Sequence, residues 1–461
     1  VSARRLVPAV LALAILSPPA RARELWRRGD VSVELTGSTK EIALATYGTD
    51  SERFLSRAAT SPTCVLAAAF EHCPALDTVG HAFAPQSLTR LRTHLDVHVG
   101  SWLTGELVYD HEWRFGRLDT LAASLADDLA APPLVDLDWD VDAFGLPTDT
   151  ASWQHSLYRA DLKLEVRKLE VTVGRQRIPW GVGRIWQPTD RFNFVRPLAI
   201  EPDETPGVEA VDARWNLSGF SYLEAVWEPS RHRDDSAYAV RAHGTVHDVD
   251  LSALAGRWDG AWAAGFDAAG NLGGSAARIE AIWTDPTRQV WPLDASHPRE
   301  LAPFWQVVAS IDHEFDVGSG LYVLVEHLYN GNALGFHSGP GAAVLPFFEA
   351  TAIPPPGVPP GTPGPFVRPV SQDRFGGSQV ISLAHHQTAI DLGYDLTPVL
   401  RLDVLTIGDW NGPSLAFAPV LTWSPIGAME LKLGVQLFAG RRASEYGPQE
   451  PLGYLTMEWF F

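Results

Sequence analysis

Residues 156–167, SLYRADLKLEVR, constrain this chain more than any other stretch of it. Tyr158, Ala160, Leu162, Leu164 and Val166 alternate with Arg159, Asp161, Lys163, Glu165 and Arg167. A helix would scatter those charges around its circumference, whereas a strand collects them on one face and the apolar residues on the other. Lipid against one face and water against the other demand that pattern, and only a closed barrel of strands leaves no unpaired edge in lipid.

The same period of two predicts strands near 31–46, 88–98, 101–110, 156–166, 169–180, 208–217, 219–228, 237–246 and 248–257. It continues near 261–268, 275–284, 304–315, 320–330, 380–394, 399–408, 414–424, 427–439 and 452–461. The predicted fold is therefore all-β, a transmembrane antiparallel β-barrel of about 18 strands, with 16 as the alternative count because the first strand and 261–268 are faint. Short connections near 99–101, 167–168, 217–219, 316–320, 396–398 and 424–427 alternate with long ones at 47–87, 111–155, 181–207, 285–303 and 331–379. Short periplasmic turns, long extracellular loops and both termini in the periplasm follow from that phase. Within the loops, 121–131 reads as a short helix, and the Pro/Gly tract at 353–365 cannot enter a sheet.

The ends of the chain agree. Residues 1–22, VSARRLVPAVLALAILSPPARA, have a basic start, an apolar run and an Ala20-Arg21-Ala22 cleavage site, the make-up of a secretory signal peptide. That leaves 23–461 as one barrel domain. The chain ends YLTMEWFF: Leu455, Met457, Trp459 and Phe461 should face lipid while Thr456 and Glu458 face water. Trp459 and the terminal Phe461 resemble the tag read by the barrel-assembly machinery, so that machinery and outer-membrane lipid are the expected partners. Nowhere does the sequence approach the roughly 18 uncharged apolar residues of a spanning helix.

Charge excludes one class of partner. Without the three arginines of 1–22, the 36 basic residues fall to 33 against 55 acidic, a balance of −22, the opposite of a nucleic-acid footprint. Cys64 and Cys73 flank eight residues. In an oxidising compartment they can close one small disulfide loop; as metal ligands they would have only His72 nearby, short of the four a structural site needs. No phosphate-cradling glycine loop, metal spacing or haem-attachment motif is present, so no cofactor is expected and no enzyme.

Among the side chains predicted to line the lumen are Asp96, Asp110, Asp161, Glu165, Asp212 and Glu224 on the acidic side, and Arg92, Arg159, Lys163, Arg167 and Arg214 on the basic side. Acid exceeds base, which would favour cations in a water-filled pore; merely solvating the wall is the alternative role. The densest stretch is 174–207, GRQRIPWGVGRIWQPTDRFNFVRPLAIEPDETPG. Arg175, Arg177, Arg184, Arg191 and Arg196 interleave there with Trp180, Trp186, Phe192 and Phe194. Unbroken alternation from Val173 would turn Arg175 and Arg177 to lipid, so a bulge at Gly174 is expected to flip them inward. Guanidinium groups beside aromatic faces suit sugars, carboxylates or planar acids. Alternatively the arginines pair with Asp190, Glu201, Asp203 and Glu204 and pin the loop.

At GRQRIPWG (174–181), PTDRFN (188–193) and TPGVEAVDARW (205–215) the chain resembles alginate-export-type outer-membrane barrels and related porin-like proteins. The resemblance covers about 40 residues. It implies an 18-strand-type barrel that passes a solute or polymer across the Gram-negative outer membrane. Such exporters line the pore with arginine, whereas most of this wall is acidic. A channel is thus the leading expectation, as a possible homo-oligomer or with periplasmic export partners. A structural or adhesion barrel acting through its loops is the alternative. An outer-membrane hydrolase, for which His385, His386 and Asp391 would be the groups to watch, ranks below both.

Overall fold

The computed structural model describes residues 23–49, 81–116, 139–142, 151–193, 196–202, 204–205, 207–230, 236–258, 260–285, 303–333, 348–351, 366–369, 381–382, 384–440, 444–447 and 449–461. The signal-peptide segment, Cys64 and Cys73, the 121–131 helix and the Pro/Gly tract lie outside them.

Eighteen strands close on themselves: β1 (Val31–Thr49), β2 (His81–Val99), β3 (Leu103–Gly116), β4 (Ala151–Val166), β5 (Leu169–Gln176), β6 (Val208–Ser218), β7 (Ser221–Glu228), β8 (Ala237–Val246) and β9 (Val249–Trp258) make one half. The other half is β10 (Ala261–Leu272), β11 (Ser275–Asp285), β12 (Phe304–Phe315), β13 (Leu321–Asn330), β14 (His386–Thr397), β15 (Leu400–Asp409), β16 (Ser414–Ile426), β17 (Met429–Gly440) and β18 (Leu452–Phe460). Each pairs antiparallel with the next, and β18 returns to β1 from Ser38–Phe460 to Thr46–Leu452. A short N-terminal strand, Arg23–Arg28, pairs with Val31–Leu35 of β1, on the edge that β18 leaves open beyond Phe461.

All eighteen predicted strands are present, and closure removes every edge that the alternation could not tolerate. The sequence placed the elements better than their ends. β1 to β4 run further toward the loop end than predicted, so parts of 47–87 and 111–155 are wall. Two-residue turns set register at the other end: His247 and Asp248 both take positive φ (50° and 63°), as do Gly273 and Gly274 (61° and 91°), the geometry that matches strand twist.

Alternation sorts the wall. Leu162, Leu164, Val173, Trp215, Leu223, Trp227, Val240, Trp262, Phe417, Leu433 and Leu455 are exposed on the outside, while Asp110, Arg159, Glu224, Arg241, Asp267, Glu280 and Glu326 are buried inside it. Two expectations fail on β4 and β5. Tyr158 does not face lipid: the ladder pairs Leu157 with Tyr109 and Arg159 with Val108, skipping Tyr158. This bulge turns Tyr158 inward, where the guanidinium carbons of Arg92 and Arg159 lie 3.8 and 4.5 Å from its ring centre. No bulge occurs at Gly174, whose pairing with Asp161 and Ala210 is continuous. Glycine is needed there for another reason: φ is +132°, and a Cβ would stand 2.1 Å from the Ala160 carbonyl oxygen. Arg167, predicted inward, sits in a turn with φ 56°.

Candidate functional site

The wall is not a hollow tube, because the connection between β5 and β6 folds into it. Arg177 to Trp180 were predicted to extend β5; instead the strand stops at Gln176 and the chain turns into the lumen. From there the loop makes a circuit of the inner wall. Ile178, Trp180 and Phe192 pack on Ala210, Val226, Ala239, Leu254, Trp258 and Ile282, which belong to β6 to β11. Trp186 packs on Val308, Leu328, Ala389, Ile407 and Ala416 of β12 to β16, with Ile185, Leu198 and Phe438 beside it. Glu201 and Glu204 reach Lys40 on β1 and Arg90 and Arg92 on β2. Arg159 of β4 then donates to the Thr205 carbonyl at 2.6 Å, next to where β6 begins. Inward apolar residues on so many strands make sense only under such a cover, each large one contributing on the order of 1.5–3 kcal/mol.

Two wholly buried wall carboxylates hold the first half of the loop. Glu280 of β11 accepts from the backbone N–H groups of Val182, Gly183 and Thr189 and from the Thr189 hydroxyl, the last at 2.6 Å. Glu326 of β13 accepts from the N–H groups of Arg184, Ile185 and Trp186 at 2.7–2.9 Å. Consecutive N–H groups aimed at one carboxylate form an anion-binding nest, and here the wall itself supplies the anion. Neither glutamate was among the predicted site residues. The signal was present: an acid flanked on the inward phase by Ile282 on β11 and by Leu324 and Leu328 on β13, which are apolar and fully buried.

The predicted site residues fall into three groups. Trp180 is buried and donates from Nε1 to Glu224 at 3.0 Å. Arg191 is also buried; it donates to the Pro188 carbonyl and, from Nη2, to Thr284 and Gln306 at 2.9 Å. Asp190 is buried and accepts from the N–H groups of Phe192 and Asn193. Burial raises its pKa to about 7, against the pull of those two donors and with Glu280 adding to it. These three brace the loop.

Arg159 and Arg175 brace the seam where the loop leaves and rejoins the wall. Arg175 faces Ala160 and Glu209 across the ladder, pairs with Glu209 at 2.8 Å and donates to the Leu157 carbonyl at 2.6 Å. The wall residues Lys163, Glu165 and Arg214 form ion pairs: Lys163 with Glu165 and Glu170 at 2.7 and 3.2 Å, Arg214 with Glu224 at 2.9 Å. Asp161 and Asp212 are half-buried beside them. The third group is Arg177 and Arg184, whose side chains are exposed, as is that of Arg196. Of the loop carboxylates that the alternative named, Glu201 and Glu204 pair with cations of the wall, and Asp203 lies outside the described residues.

His385, His386 and Asp391 do not assemble. His386 lies on the outer side of β14, 3.2 Å from His327, Asp391 is on its inner side, and His385 bonds the Asn330 carbonyl. Among the described residues no group of three or more His, Cys, Asp or Glu could hold a metal ion.

No protein-family model matches the chain, and no curated protein does; the alginate-export-type resemblance at 174–215 gains nothing from either. Solved structures do match. The chain is similar to OccAB1 of Acinetobacter baumannii at 8% identity and a TM-score of 0.52, covering 96% of this chain and 99% of that one. OccAB4 of the same organism (9% identity, TM-score 0.48, 94% and 99% covered) and OccK8 (OprE) of Pseudomonas aeruginosa (10%, 0.47, 92% and 98%) also match. At such identity the likeness to OccAB1 is one of fold, a closed antiparallel 18-stranded barrel.

Proposed function

We propose that the chain is a porin-like channel of the Gram-negative outer membrane, with its termini and short turns in the periplasm, passing small hydrophilic solutes through a lumen narrowed by the loop 177–207. One observation carries this reading. The loop is bonded to β1, β2, β11 and β13 through Lys40, Arg90, Arg92, Glu280 and Glu326, while Arg177, Arg184 and Arg196 stay exposed. A purely structural barrel has no use for a lined, charged constriction, and a thick polymer would be stopped by it. Anions meet the loop arginines and cations meet the acidic wall, so solutes are sorted by charge as well as by size.

Residues 1–22 act in this proposal as the export signal, and Phe461 is read by the assembly machinery. Purified folded protein added to a planar bilayer should give discrete conductance steps. Protein that inserts and never conducts, even after its outer loops are trimmed by protease, overturns the channel.

A further inference from the structure

The two halves of the inward loop are held by opposite chemistry. Glu280 and Glu326 are 0% exposed, and the loop provides the N–H groups that satisfy them. Were residues 182–189 to leave, two buried carboxylates would lose those donors, an expensive state. On the far side the roles reverse. Glu201 and Glu204 of the loop are held by Lys40 (2.7 Å), Arg90 (3.1 Å) and Arg92 (2.7 Å). Each of those cations already has a carboxylate of the wall: Glu458 at 2.8 Å from Lys40, Glu112 at 2.6 Å from Arg90, Asp110 at 2.7 Å from Arg92. Departure of Glu201 and Glu204 strands no wall charge. Their side chains keep 17% and 23% of their surface in water, so salt reaches the pairs.

We propose that residues 199–202 and Glu204 belong to a strap that releases from β1 and β2 while the rest of the loop stays fixed, giving the lumen a narrow and a wide state. Both ends of the strap are pinned. Gln436 donates to the Leu198 carbonyl at 2.8 Å, beside the Trp186 cluster, and Arg159 donates to the Thr205 carbonyl at 2.6 Å. The wall carboxylates are competitors of the strap for the same three cations. Removing negative charge from the strap and from the wall must therefore have opposite effects.

Amide hydrogen exchange in micelles tests the strap without requiring conduction. Raising salt from about 0.1 M to about 1 M, which cuts the Debye length roughly threefold, should speed exchange of the strap amides at least about fivefold and leave 182–189 unchanged. The double variant Glu201→Gln/Glu204→Gln should be fast already at low salt, by about tenfold, or 1.4 kcal/mol. Asp110→Asn/Glu458→Gln should slow the same amides. Slow exchange at 182–189 shows in every case that the barrel and the anchored half are folded. If both halves exchange together, or wall variants and strap variants shift the strap amides in the same direction, the strap is overturned. The wide and narrow states rest on the channel reading: protein that exchanges as expected and never conducts overturns that reading and leaves the strap standing.

Discussion

At the scale of single residues, the wall glutamates decide the shape of the lumen. Glu326→Ala leaves three loop N–H groups without their acceptor, at about 1–3 kcal/mol for each group that finds no water. The expected result is a larger single-channel conductance for Glu326→Ala, with Glu326→Gln intermediate because an amide oxygen still accepts; unchanged conductance in both would show that the loop holds without this anchor. Two loop carboxylates give a pH dependence of opposite signs. Burial pushes the docked Asp190 carboxyl up to about 7 from its ordinary 3.8, so docking weakens as pH rises between those values. Glu204 runs the other way. Burial opposes its charge, but Arg92, the Tyr158 hydroxyl and Lys40 hold it down to about 2, below 4.5, so its contribution is lost as pH falls from 4.5 toward 2. Protection of the amides at 182–189, corrected for intrinsic exchange, should therefore fall as pH rises from about 4 to 7, and that of the strap around Glu204 should fall as pH drops below about 4.5. Asp190→Asn should flatten the first decline and leave the second intact; an unaltered first decline would remove Asp190 as its cause.

At the scale of elements, what could be read in the sequence was what lipid enforces. β10, one of the faint strands, is present because both neighbours carry apolar residues opposite its Ala264 (Ala255 and Trp283) and its Phe266 (Ala253 and Ala281). Lumen contacts obey no such rule, so the loop that turns inward was legible as a dense motif and illegible as a path. Tyr158 shows the limit: its sequence neighbours alternate without a break, and only the inward pull of Arg92, Arg159 and Glu204 moves it to the other face. Gly174 shows the converse, a glycine assigned to a bulge that serves a close approach instead. Gly174→Ala should lower the thermal transition of the folded barrel, because Ala at φ +132° is strained by about 1–3 kcal/mol and its Cβ would meet backbone rather than a side chain that can swing away. Gly453→Ala, with nothing within 4 Å of the added atom, is the matched control. Equal transitions for the two would show that the wall yields at Gly174.

At the scale of the whole molecule, one seam turns a sheet into a barrel, and the first and last barrel strands meet there. Beyond the last ladder pair, Ser38–Phe460, Phe461 and Gly37 exchange both backbone hydrogen bonds, at 2.9 and 3.0 Å. The ring of Phe461 lies over Gly37, where a Cβ would come within 2.7 Å of its Cζ and of the Arg92 carbonyl oxygen. The two partners of this contact should fail differently. Deleting Phe461 removes the proposed assembly tag and one terminal pair while the rest of the β1–β18 ladder remains. Its expected effect is slow appearance of folded barrel in the outer membrane with a thermal transition close to that of the full chain. Gly37→Ala keeps the tag and crowds the seam in the finished barrel, so it should assemble at near-normal rate and melt lower. Pulse-labelled cells followed by heat-modifiable gel mobility measure the first quantity, and thermal scans of purified barrel the second. Should the Phe461 deletion assemble at the normal rate, the terminal aromatic closes the seam and nothing more; should both variants be slow and equally stable, Gly37 is part of the tag.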